Sequence, residues 1–110
     1  PEGTIVETSP ASAAVIYEVA GRLVQQGGAA LFIDYGSTIA RNGSTFQAVA
    51  GHRKVDPFAA PGEADLTAHV DFATLALIAR SREARHLGTV SQGDWLRALG
   101  IETRANALME

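Results

Sequence analysis

The chain has 110 residues, enough for one small domain around a single core and hardly more. At 46% hydrophobic and 19% charged residues it is not a disordered chain, and a net charge of -3 without any Lys/Arg block excludes the basic face that nucleic acid requires. Cysteine is absent, which removes disulfides, thiolate catalysis and thiolate zinc sites, and no apolar run reaches the length of a membrane span.

The N-terminus lacks the basic-then-apolar pattern of a secretory signal, so a cytoplasmic or equivalent reducing compartment is expected. Thr4-Ile5-Val6 is β-prone and reads as the end of a strand. Ser9-Pro10 then announces a helix: the hydroxyl can accept from an unpaired amide, and proline fits a first turn that has no use for its missing N–H. Val15, Ile16, Val19, Leu23 and Val24 follow at helical spacing, and Gly27-Gly28 supplies the left-handed stop. The unbroken apolar run Ala29–Ile33, ending in Asp34-Tyr35-Gly36, predicts a strand buried on both faces of a parallel sheet. Helix, glycine turn and buried strand make half of a βαβ unit.

From Gly36 to Val70 the chain runs through a long irregular excursion, where an α/β connection commonly takes only about 2–6 residues. Inside it, Thr45–Val49 alternates well enough for a short strand in a local hairpin, and Pro57, Pro61 and Gly62 punctuate the rest. Asp71 caps a second helix carrying Phe72, Leu75, Ala76, Ile78 and Ala79 on one face and Arg80, Arg82 and Glu83 on the other. A second strand is expected at His86–Val90. Ser91 with Asp94 then makes a capping box for a short helix through Trp95, Leu96 and Leu99 to Gly100, and Glu102–Met109 continues as helix.

Ligands of open α/β sheets bind outside the carboxyl ends of the strands. Asp34, Tyr35 and Gly36 occupy that end, and the excursion departing from it carries His52, Arg53, Asp56, Glu63, Asp65, His69 and Asp71. Carboxylates there can pair with a guanidinium or ammonium, and an imidazole can accept a proton near neutral pH. Structural alternatives stand beside each reading. Asp34 can cap a turn, Asp71 can cap its helix, and His52 and His69 can be solvated or bonded to backbone. His52, Asp65, His69 and Asp71 match no specific zinc spacing, so no metal is assigned. Gly27-Gly28 ends a helix and cradles no phosphate, and the stretch Gly36–Gly43 lacks the GxGxxG and GxxxxGK[ST] patterns. Trp95, in register with Leu96 and Leu99, reads as core.

Longer strings carry a resemblance. Gly27-Gly-Ala-Ala-Leu-Phe-Ile-Asp-Tyr-Gly36, Thr45-Phe-Gln-Ala48, Gly51-His52, Val55-Asp-Pro57 and above all Pro61-Gly-Glu-Ala-Asp-Leu-Thr-Ala-His-Val-Asp-Phe72 resemble segments of the MidA methyltransferase family. Similarity extends from Ile5-Val-Glu-Thr-Ser-Pro10 through Gln92-Gly93, Leu99-Gly-Ile101 and Arg104-Ala105, with Phe46 standing where leucine is commoner. The family includes mitochondrial methyltransferases that assist respiratory complex I assembly. The resemblance implies an α/β fold, part of a Rossmann-like class I methyltransferase sheet with flanking helices and a long inserted loop. On this reading residues 1–110 form the substrate-side portion of one methyltransferase domain, incomplete at both ends. It implies S-adenosylmethionine as cofactor, bound mainly by sequence absent here, with no cofactor-binding residue assigned in this chain.

The expected reaction is methyl transfer to a protein arginine, with a protein substrate such as a respiratory-complex subunit, and the mitochondrial matrix as location in eukaryotic relatives. Asp34, Asp65 and Asp71 are expected to orient the substrate, His52 or His69 to accept a proton, and Tyr35 and Gly36 to line the substrate site. The stretch from Tyr35 to Asp71 is expected to arch over the lip of a largely parallel sheet. A non-catalytic assembly or protein-binding module is the alternative.

Overall fold

Ser9-Pro10 and the apolar spacing that follows become helix α1, Pro10–Gln26, in the computed structural model, which describes residues 2–39 and 41–109. Ser9 Oγ accepts from the Ser12 amide at 3.3 Å, and Gly27 closes the last turn at φ 75°, its N–H donating to the Leu23 carbonyl at 2.9 Å. After α1 the chain makes a two-residue strand β1, Gly36–Ser37. The excursion then folds into three short strands, β2 (Gln47–Ala50), β3 (Arg53–Val55) and β4 (Asp65–Thr67), in an antiparallel sheet of order β3-β2-β4. Gly51 and His52, at φ 55° and 61°, form the two-residue turn between β2 and β3. Two positive φ values in succession match the twist of a tight hairpin. The local hairpin expected around Thr45–Val49 is therefore present, with its first strand starting two residues later and ending one later.

Strand β5, Val70–Asp71, returns the chain to its starting point and pairs parallel with β1, Gly36 opposite Val70 and Ser37 opposite Asp71. The excursion is thus a closed loop tied at its neck. Asp71 passes directly into α2, Phe72–Ser81, as its N-cap. Helices α3, Gln92–Ala98, and α4, Ile101–Met109, follow, with Ser91 Oγ accepting from the Asp94 amide at 3.1 Å as the capping box requires.

Helices α1 and α2 pack together. Ile16, Ala20 and Gly21 are buried along α1, and Arg82, just past α2, lies across it. The Arg82 guanidinium carbon is 4.1 Å from the Tyr17 ring centroid, and Nη1 donates to the Tyr17 hydroxyl at 3.0 Å. A side chain at Gly21 would run into that guanidinium, so the small residue is what lets Arg82 reach across α1.

Three expectations are corrected. Thr4–Val6, Ala29–Ile33 and His86–Val90 form no strand among the described residues. A buried parallel strand needs hydrogen-bonded neighbours and helices over both faces; among the described residues Thr4–Val6 has the Gly43 amide against its Ile5 carbonyl, but none of the three runs pairs with a strand. Leu31 is accordingly 68% exposed, and Phe32, Ile33, Leu87 and Val90 are exposed as well. The expected single core is also not enclosed. Ile16, Ala20 and Ala48 are the buried hydrophobic residues among those described. The radius of gyration is 17.9 Å, against about 13 Å for a compact domain of this length. The architecture is mixed α/β, with a minimal parallel pair, a small antiparallel sheet inside the excursion, and helices.

Candidate functional site

The neck of the excursion gathers Asp34, Tyr35 and Gly36 with His69, Val70 and Asp71. Main-chain pairing sets the approach, the Val70 amide donating to the Tyr35 carbonyl at 2.9 Å. Gly36 is required here because a Cβ would collide with the Val70 carbonyl. Its role is therefore close backbone packing, which adjusts the expectation that it touches substrate. Parallel pairing places Tyr35 beside His69, and the two rings meet edge-on, with centroids 4.6 Å apart and planes at 85°. His69 is half-buried, its Nδ1 is buried with no hydrogen-bond partner, and Tyr35 is 60% exposed. Asp34 Oδ1 accepts from the Tyr35 amide at 2.7 Å, and the carboxylate is otherwise open to solvent. This is a local turn interaction of the kind weighed from sequence, yet it leaves one oxygen free.

Asp71 sits at the same neck with both oxygens engaged. Oδ1 accepts from the Thr74 amide at 3.0 Å and Oδ2 from the Thr74 hydroxyl at 2.6 Å. These bonds, the hydroxyl's first, hold its carboxyl below the ordinary aspartate value. Its geometry is that of a helix cap.

His52 and Asp65 lie away from the neck, at the far end of the antiparallel sheet. His52 is at the hairpin tip and Asp65 opposes Val49 on β4. With Glu63 they line an open cleft of about 450 Å³. Arg53 is exposed on β3, and Asp56 Oδ1 accepts from the Phe58 amide at 2.8 Å in a local turn. The structure therefore divides the expected residues into a neck group and a hairpin group. Among the described residues no three of His, Asp and Glu converge as a metal site.

Two clusters had no sequence signal. The Glu7 carboxylate reaches across to the excursion, where Oε2 accepts from the Thr45 hydroxyl at 2.5 Å and Oε1 from the Thr45 amide at 2.9 Å and Ser44 Oγ at 3.3 Å. The Thr45 hydroxyl and then the Thr45 amide hold the Glu7 carboxyl below the ordinary glutamate value. Thr45 Oγ1 in turn accepts from the His69 amide at 2.9 Å. Beside α2, His86 Nδ1 lies 3.0 Å from Arg80 Nη2 and Nε2 lies 2.9 Å from Thr89 Oγ1. Arg80 has no acceptor function, so Nδ1 accepts and Nε2 carries the proton toward Thr89. These residues edge a second cleft of about 360 Å³ with Thr38, Phe72 and Ala76.

Gly27, Gly36 and Gly51 do not form a cradle for an adenosyl cofactor. That role needs an open glycine turn leading into a helix N-terminus. Gly27 closes a helix, Gly51 turns a hairpin, and Gly36 is shut against Val70.

Comparison with known proteins assigns the chain. Residues 1–90 match the model of a family of S-adenosyl-L-methionine-dependent methyltransferases. The mitochondrial protein arginine methyltransferase NDUFAF7 of Bos taurus is 41% identical over 105 residues, which is 96% of this chain and 23% of that protein. Its Homo sapiens counterpart is 38% identical over the same shares, and the Caenorhabditis elegans homolog is 38% identical over 94% of this chain and 24% of its own length. The chain spans about a quarter of the length of these relatives. With its PGEADLTAHVDF string folded into β4, the neck and the start of α2, this chain belongs to the MidA-type family of S-adenosyl-L-methionine-dependent methyltransferases.

Proposed function

We propose that this chain is the acceptor-side portion of a single methyltransferase domain, in an enzyme that methylates a protein arginine. The observation that carries the reading is the neck: an exposed Tyr35 ring set edge-on to His69, beside the open Asp34 carboxylate, directly after the Ala29–Ile33 run. In the whole domain that run is an inner strand of a Rossmann-like sheet, and its exposed Leu31, Phe32 and Ile33 are the surfaces that neighbouring strands and helices cover. S-adenosylmethionine supplies the methyl group, and holding it falls to sequence outside these residues.

The residues of this chain handle the acceptor. The free oxygen of Asp34 accepts from the arginine guanidinium and orients it, a geometry suited to a planar donor. Tyr35 offers a ring face on which the same cation can rest. His69 is the proton acceptor through Nε2, because Nδ1 is buried away from any acceptor peptide. At the hairpin end, Glu63 and Asp65 make an acidic lip for a cationic peptide, with His52 beside them. Methyl transfer depends on alignment more than on strong acid–base help, so orientation is the larger part of this share. A respiratory-complex subunit is the proposed acceptor, with the matrix as its setting in eukaryotic relatives and the cytoplasm as the setting for this chain. Among the described residues no helix is long and apolar enough to cross a membrane.

Asp34→Ala, Asp65→Ala and His69→Ala in the complete enzyme, assayed by methyl incorporation into an arginine peptide, test the reading. Asp34→Ala and His69→Ala are expected to lower turnover by about a hundredfold, and Asp65→Ala to raise the peptide KM. Unchanged turnover in all three, with the fold intact, removes it. The exposed apolar run at Leu31–Ile33 also suits an assembly module, which differs in requiring no S-adenosylmethionine binding by the complete protein.

A further inference from the structure

The neck cannot hold its own geometry. Its parallel pair is two residues long on each side, and the Tyr35 ring is mostly exposed, so little fixes the His69 imidazole from within. What reaches His69 from elsewhere is a chain of hydrogen bonds. The His69 amide donates to Thr45 Oγ1, the same hydroxyl donates to Glu7 Oε2, and Glu7 Oε1 accepts from the Thr45 amide. The Gly43 amide, donating to the Ile5 carbonyl at 2.8 Å, lays the two segments side by side. The hydroxyl has one proton, and by giving it to the carboxylate it turns its lone pairs toward the His69 amide. Because the acceptor is ionised, its bond to Thr45 is the strong one in the series.

We propose that Glu7 is a positioning residue of the acceptor site, holding Thr45 by both its amide and its hydroxyl and, through that hydroxyl, fixing His69 against Tyr35. This rests on the acceptor-site reading of the neck. Glu7 touches neither ring. It acts by keeping the main chain at residue 69 in register with residue 35.

The test uses the complete enzyme with Glu7→Gln, Thr45→Val, Thr45→Ser and the double variant Glu7→Gln/Thr45→Val. Glu7→Gln and Thr45→Val are expected to lower kcat/KM for an arginine peptide by about ten- to thirtyfold, the size of one charge-assisted hydrogen bond. Thr45→Ser, which keeps the hydroxyl, should restore most of it. The double variant should fall no further than the worse single one, and S-adenosylmethionine affinity by calorimetry should not move. Additive losses, or weaker cofactor binding in step with the loss, overturn the proposal.

Amide hydrogen exchange supplies a readout that needs no turnover. Glu7→Gln should speed exchange at His69 while the neighbouring Val70 amide, bonded to the Tyr35 carbonyl, stays protected. Equal exchange at His69 in parent and variant overturns the proposal even if kinetics change. Should the parent methylate no arginine peptide, the acceptor reading fails, and the His69 exchange result then decides the Glu7 link alone.

Discussion

The two ends of the excursion are built differently. At the neck, Gly36 is packed against the Val70 carbonyl, Asp71 is locked onto Thr74, and His69 is held by Thr45. At the hairpin tip, His52 sits exposed at φ 61° beside Glu63 and Asp65 on an open cleft. Among the described residues the neck has no buried hydrophobic residue beneath it, and the hairpin sheet has Ala48 alone. The neck is therefore ordered by backbone fit and charged hydrogen bonds, which tolerate substitution poorly, while the tip is ordered by turn chemistry that several residues satisfy.

The sharpest way to break this contrast is Gly36→Ala. Its methyl meets backbone that cannot swing aside, so a stability loss of about 3 kcal/mol is expected in denaturant unfolding of the complete protein. A loss no larger than that of an exposed surface substitution would show the neck to be as tolerant as the tip.

Asp71 comes next. Asp71→Ala should destabilise by about 1 kcal/mol, while Asp71→Asn, also a good cap, should cost a small fraction of that. If Asn instead abolishes turnover with stability intact, the carboxylate is chemical and the capping account is incomplete.

Acid should separate the ends by a smaller margin. The Glu7 and Asp71 carboxyls are both held below their ordinary values in the folded chain. A depressed folded value means stability that is present above the unfolded pKa and lost as pH falls through the folded one. The window therefore opens below about pH 4, near the ordinary carboxylate values. The parent should lose melting temperature on acidification more steeply than a Glu7→Gln/Asp71→Asn variant; parallel slopes would contradict the assignment. Smallest is His52→Asn, which keeps a residue tolerant of positive φ at the turn. Stability should stay within about 0.5 kcal/mol of the parent. A large drop in turnover there would move the proton acceptor from the neck to the tip.

Much of this was legible along the chain. Ser9-Pro10, Asp71 and Ser91-Asp94 start helices where their side chains can meet a free amide within three residues, and Gly27 stops one. The hairpin was readable in part, since the alternation at Thr45–Val49 is a short-range signal, whereas the Gly51-His52 turn that closes it was seen only in the structure. The runs Ala29–Ile33 and His86–Val90 show the limit of such reading. Their composition states that they want burial, but a strand exists only beside another strand, and that partner is not a property of the run.

For the candidate site the division is similar. Asp34, Tyr35, His69 and Asp71 were all named from the chain, because the end of an apolar run and a helix cap are local marks. That Tyr35 meets His69, that Gly36 must lack a side chain, and that Glu7 grips Thr45 from 38 residues away were decided only in three dimensions. Local sequence determines where backbone amides find a nearby partner. Contacts between distant segments depend on how the excursion closes, and closure is set by pairing that no single segment encodes.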